Sequence, residues 1–80
     1  MKGFENMIQK ILMIDTLQKV KDFASITQQF TEEVTVTRGK YVVDGKSLLG
    51  LYSLNLSLPI TVIYHDIDEE KGKQFSQFEI

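Results

Sequence analysis

The chain has 80 residues, of which 42% are hydrophobic and 25% charged, and its formal net charge is −2. That length makes one domain with no room for a second, and the composition is globular rather than disordered. Without cysteine, disulfides, thiolate metal sites and a cysteine nucleophile are excluded. Without a basic stripe, nucleic acid is a poor partner, because that binding rests on Lys and Arg clustered against phosphates.

Residues 1–7 read as a loose lead-in. The stretch Ile8 to Ile14 is ambiguous: Phe4, Met7, Ile8, Ile11 and Leu12 fit a helical stripe, while the dense run Ile11-Leu12-Met13-Ile14 also fits a buried strand. The run is too short for a secretory signal or a membrane span, so the sequence reads as cytoplasmic. Asp15 reads as the N-cap of a helix. Its apolar face is Leu17, Val20, Phe23, Ala24, Ile26, Thr27 and Phe30, ending near Phe30.

Glu33-Val34-Thr35-Val36-Thr37 alternates and is rich in β-branched residues, as a strand requires. Arg38-Gly39-Lys40 makes a tight turn, Tyr41-Val42-Val43 the returning strand, and Asp44-Gly45 closes the hairpin. Ser47 then caps a short helix carrying Leu48, Leu49, Leu51, Tyr52 and Leu54. Asn55 to Pro59 connects to a strand from Ile60 to Tyr64. Asp68-Glu69-Glu70 opens a last helix, acidic where the macrodipole favours it. With only Phe75 and Phe78 on its apolar face, that helix is expected to fray.

The segment Glu33 to Thr37, and above all Lys46-Ser47-Leu48-Leu49-Gly50-Leu51-Tyr52-Ser53-Leu54, resembles HPr, the histidine-containing phosphocarrier of the bacterial sugar phosphotransferase system. Phe30-Thr31 and the acidic start of the last helix also match, and the similarity covers roughly residues 15–75. The resemblance implies an α+β fold, an open-faced sandwich of four antiparallel strands with three helices on one face, in the order β-α-β-β-α-β-α. That order requires a strand before the first helix, and on this ground Ile8 to Ile14 is read as a strand.

The departure is at the family's Gly-x-His-x-Arg-Pro signature. Here the corresponding stretch is Ile14-Asp15-Thr16-Leu17-Gln18-Lys19, with Thr16 and Gln18 about where the histidine and arginine would stand. Threonine cannot replace imidazole as a nucleophile at neutral pH without an activating base. The resemblance therefore implies a degenerate active-site position at Asp15, Thr16 and Gln18, a chain that is no enzyme, and no cofactor.

The resemblance further implies regulatory phosphorylation of Ser47 by an HPr kinase-like enzyme, with a transcriptional regulator as a second kind of protein partner. The residues alone make Ser47 a plain helix cap. Leu48, Leu49 and Tyr52 correspond to the family's docking patch, with Leu51, Leu54 and Leu56 expected in the core; a fully buried set is the competing reading.

His65, the sole histidine, alternates with Val62 and Tyr64 and so falls on the outer face of its strand. It has no second histidine or cysteine to make a metal set. The acidic run Asp66, Asp68, Glu69 and Glu70 lacks calcium-loop spacing. Two other functions remain open: a phosphocarrier with Asp15 or His65 as acceptor, and a structural or assembly module. The chain is expected to be a monomer or weak dimer, with no membrane partner.

Overall fold

The computed structural model describes residues 7–65 and 69–80. Its elements run β1 (Met7–Leu12), α1 (Leu17–Thr27), β2 (Val34–Arg38), β3 (Tyr41–Asp44), α2 (Leu48–Tyr52), β4 (Ile60–His65) and α3 (Glu69–Gly72), which passes into a 3-10 segment, Lys73–Phe78. The strands form one antiparallel sheet in the order β1-β4-β2-β3. The expected four-stranded α+β fold with three helices is the one observed.

Alternation decides which face is covered. Leu12, Val34, Val36, Ile60, Val62 and Tyr64 point inward and are all but fully buried, and the register aligns them: Val34 and Ile8 flank Tyr64, and Val36 pairs with Val62. The helices supply the facing layer with Val20, Phe23, Ala24, Ile26 and Leu51. On the other face Met7, Ile11 and Val42 stay exposed.

The strand reading of the N-terminal stretch is right and its limits shift. Met7, counted in the lead-in, already belongs to β1, the rest of that lead-in lies outside the described residues, and β1 stops at Leu12 rather than Ile14. Met13 instead donates its N–H to Phe78 O at 2.9 Å, and Ile14 is buried beyond the strand. Phe4 lies outside the described residues. Helix α1 ends at Thr27 rather than near Phe30 because the next bonds tighten: Gln29 N donates to Ile26 O and Phe30 N to Thr27 O. Leu17, counted on the apolar face, is 59% exposed.

The hairpin turns over Gly39-Lys40, and Gly39 holds φ 61°, a conformation a side chain would disfavour. The helix start at Asp68 lies outside the described residues, which place α3 from Glu69.

The C-terminal helix, expected to fray on its thin apolar face, is packed into the core. Phe75 is fully buried among three other rings, its centroid 5.4 Å from Tyr64, 5.5 Å from Phe23 and 5.7 Å from Phe30, and Phe78 stands 5.9 Å from Phe23. Such offset and edge contacts add about 0.5–1.5 kcal/mol each beyond area burial. A Leu12–Glu79 bridge and the Lys10–Glu79 ion pair at 3.2 Å tie the same segment to β1. The apolar face is narrow, but it enters the middle of the core.

Burial raises the Tyr64 phenol above its ordinary pKa of 10.0, Lys10 opposing and Glu79 adding to the shift. Ionisation is therefore harder in the folded chain than in the unfolded one. Tyr64 contributes its full stability below about pH 10, and that contribution is lost as pH rises through the folded-state value. Urea unfolding followed between about pH 9 and about pH 11 should show the parent losing stability faster than Tyr64→Phe; parallel pH profiles would contradict this.

Candidate functional site: the corner that presents helix α2

The end of β3, the start of α2 and the end of α1 meet at one corner. Gly45 N donates to Val34 O at 2.7 Å, drawing the chain back over β2. Gly45 is needed there, since a Cβ would stand 2.8 Å from Val34 Cγ1 and 2.9 Å from Val34 O. The buried Thr27 hydroxyl reaches across to Gly45 O at 2.8 Å, with its own Ala24 O at 3.1 Å. Gln28 Nε2 donates to Lys46 O at 3.1 Å. Lys46 N donates to Asp44 Oδ1 at 2.9 Å, and its ammonium donates to Phe30 O at 2.6 Å.

Ser47 sits on this frame as the N-cap of α2. Its backbone is extended, and its Oγ accepts from Gly50 N at 3.0 Å. That bond satisfies one of the amides that a helix start leaves without an internal partner. Leu51 N donates to Ser47 O at 3.0 Å. Helix α2 touches α1 and β3, and its side chains divide sharply. Leu51 is buried, Leu54 just after the helix is buried, and Leu48 and Leu56 are half-buried against the core. Leu49 is 83% exposed and Tyr52 42%. Of the three expected patch residues, Leu49 and Tyr52 face solvent together with part of Leu48.

The degenerate position lies at the start of α1. The helix cap there is Thr16, not Asp15: Thr16 Oγ1 accepts from Lys19 N at 3.1 Å with the residue in the β region. The Asp15 carboxylate instead accepts from Lys19 Nζ at 3.2 Å as an exposed ion pair. Gln18 Nε2 donates to Asp22 Oδ1 at 2.9 Å. Asp15, Thr16 and Gln18 are all exposed. His65 ends β4, opposite Met7 in the register, whereas α1 follows the Leu12–Ile60 end. Five residues of strand, roughly 17 Å, separate His65 from Ile60. Its alternation with the buried Val62 and Tyr64 puts it on the outer face, as expected, where it is half-buried.

Asp66 and Asp68 of the acidic run lie outside the described residues, and Glu69 and Glu70 are exposed. Among the described residues no group of three His, Asp or Glu stands where it could hold a metal ion, and no helix is long and apolar enough to cross a membrane. Two parts of this surface were missed in the sequence. Thr27 looked like a member of an apolar stripe, and nothing local marks its bond to Gly45, 18 residues on. Arg38 was read only as a turn residue, yet it lines a cleft with Asn55.

No protein-family model matches the chain, and no curated protein matches it. Among solved structures it is similar to the phosphocarrier protein HPr from Bacillus anthracis strain Ames. The TM-score is 0.69 at 18% identity, over 91% of this chain and 98% of that one. It is also similar to HPr-C-His from Thermoanaerobacter tengcongensis, with a TM-score of 0.63 at 23% identity, over 92% of this chain and 88% of that one. The chain has the HPr fold.

The cap assignment is open to a direct check. Thr16→Ala should lower unfolding free energy in urea by about 0.5–2 kcal/mol. Asp15→Ala should change it by less than about 0.5 kcal/mol, because the ion pair it removes is solvent-exposed. Equal losses for the two variants would contradict the assignment.

Proposed function

We propose that this chain is a regulatory interaction domain of HPr type, acting in the cytoplasm of a bacterium, that carries no phosphate on histidine and docks its partners through α2. The observation that carries this reading is Leu49, 83% exposed on a helix whose neighbours Leu48 and Leu51 turn toward the core. A leucine presented this way from a corner fixed by Thr27, Gln28 and Lys46 is an anchor of the kind protein partners bury. Tyr52 extends the patch with an aromatic ring and a hydroxyl.

The side chains at the start of α1 support the absence of phosphotransfer in this reading. Thr16 spends its hydroxyl on the helix cap and Asp15 pairs with Lys19. The one imidazole stands at the opposite end of β4. The part of the family pattern that survives is the Lys46 to Leu54 block, so a shared function belongs there.

Ser47 is the control point in this reading. A kinase transferring the terminal phosphoryl group of ATP to Ser47 Oγ would place nearly two negative charges beside Leu49 and change which partner fits. Lys46 spends one of its three ammonium donors on Phe30 O. The switch acts by altering the surface offered to a partner, either the kinase itself or a transcriptional regulator.

The test is a pull-down from the host with mass spectrometry of the bound proteins and of Ser47. Leu49→Glu should cut partner recovery at least about tenfold while circular dichroism and melting stay those of the parent. Ser47→Ala should cost about 0.5–2 kcal/mol as a lost cap and abolish the modification-dependent change in partners. A partner complex insensitive to Leu49→Glu would sink the proposal.

A further inference from the structure

At the other end of α2 a cleft of about 290 Å³ opens between the hairpin tip and the chain leaving the helix, lined by Arg38, Gly39, Tyr41, Ser53, Leu54 and Asn55. Its chemistry follows from which polar groups are already used. Gly50 O accepts from Ser53 N and Ser53 Oγ, Leu51 O from Leu54 N, and Asn55 O from Leu58 N and Arg38 Nε. Asn55 Oδ1 accepts from both Ser57 N at 3.2 Å and Ser57 Oγ at 2.6 Å, which fixes the orientation of the amide and leaves its Nδ2 as the spare end.

With both Asn55 oxygens occupied, the side chains lining the cleft offer donors: the Arg38 Nη groups, Asn55 Nδ2 and the phenol of Tyr41, a residue 61% exposed. Charge agrees. Arg38 lines the cleft and Lys40 stands on the turn beside it. The nearest acidic residue in this stretch, Asp44, is at the opposite end of β3. A local cationic site on a chain of net charge −2 selects an anion rather than reflecting a generally basic surface. Tyr41 and the buried Leu54 give it an apolar wall. The volume admits one side chain, below the range of most small-molecule sites.

We propose that this cleft binds a carboxylate of a protein partner, an Asp or Glu side chain seated on the Arg38 fork with its stem against Tyr41 and Leu54. The guanidinium suits a carboxylate because its planar donors match two oxygens at once. The inference stands apart from docking through Leu49, since a short acidic peptide can fill the cleft without covering α2.

The experiment is an amide chemical-shift titration of the full chain with the peptide acetyl-Leu-Glu-Leu-amide, with acetyl-Leu-Gln-Leu-amide and inorganic phosphate as separate arms. The glutamate peptide should give saturable shifts centred on residues 38–41 and 53–55, weakened by salt, while the glutamine peptide gives none. Arg38→Gln should abolish them. Asn55→Asp, which keeps the acceptor that Ser57 needs and replaces the spare donor with a charge, should weaken them by about tenfold. Dispersed spectra of both variants confirm that each is folded. Three results would overturn the proposal: no saturable shifts, shifts that persist in both folded variants, or saturation by phosphate but not by the glutamate peptide.

Discussion

The hydrogen bond from the Thr27 hydroxyl to Gly45 O, 2.8 Å long and buried, is the constraint on which the presented surface depends. It joins the last turn of α1 to the corner where the hairpin ends and α2 begins, 18 residues apart in sequence. Without it a buried carbonyl would lack its partner, at a cost of about 1–3 kcal/mol. The corner would then be tied to the end of α1 and the loop after it only by the Gln28 and Lys46 bonds. With it, Ser47 is held in the extended conformation that caps α2. The division of α2 into a buried Leu51 and an exposed Leu49 follows from that placement.

The same economy governs the rest of the fold. A four-stranded sheet covered on one face needs large side chains where the helical layer is thin, and the C-terminal segment supplies them in Phe75 and Phe78. None of these packing requirements involves the residues at the start of α1. That helix needs only a cap, which the Thr16 hydroxyl provides. The packing of this fold therefore does not depend on which capping residue stands at the start of α1.

Legibility in the sequence tracked how local each signal is. The β2–β3 hairpin was readable because strict alternation and a Gly-containing turn act within a dozen residues, and the Ser47 cap because it needs only the amide three residues on. The first strand was not readable alone. Ile8 and Leu12 suit either period, and the choice is made by pairing with Ile60 to His65, about fifty residues away. Asp15 and Thr16 are both good capping residues, so the sequence alone does not separate them; backbone geometry at Thr16 decides between them. The central place of Phe75 was hidden because a short, polar-looking helix gives no sign of how deeply two rings will enter the core. The Arg38 cleft was hidden because it joins two loops that only the fold brings together.

Retention of the carrier fold without carrier chemistry is most directly tested by phosphotransfer itself. The purified 80-residue chain would be incubated with phosphoenolpyruvate and enzyme I of the phosphotransferase system, with an HPr phosphocarrier as positive control, and acid-labile phosphate measured on each protein. The account predicts label on the control and none on this chain. Acid-labile phosphate on this chain, mapped to Asp15, His65 or any other residue, would contradict it.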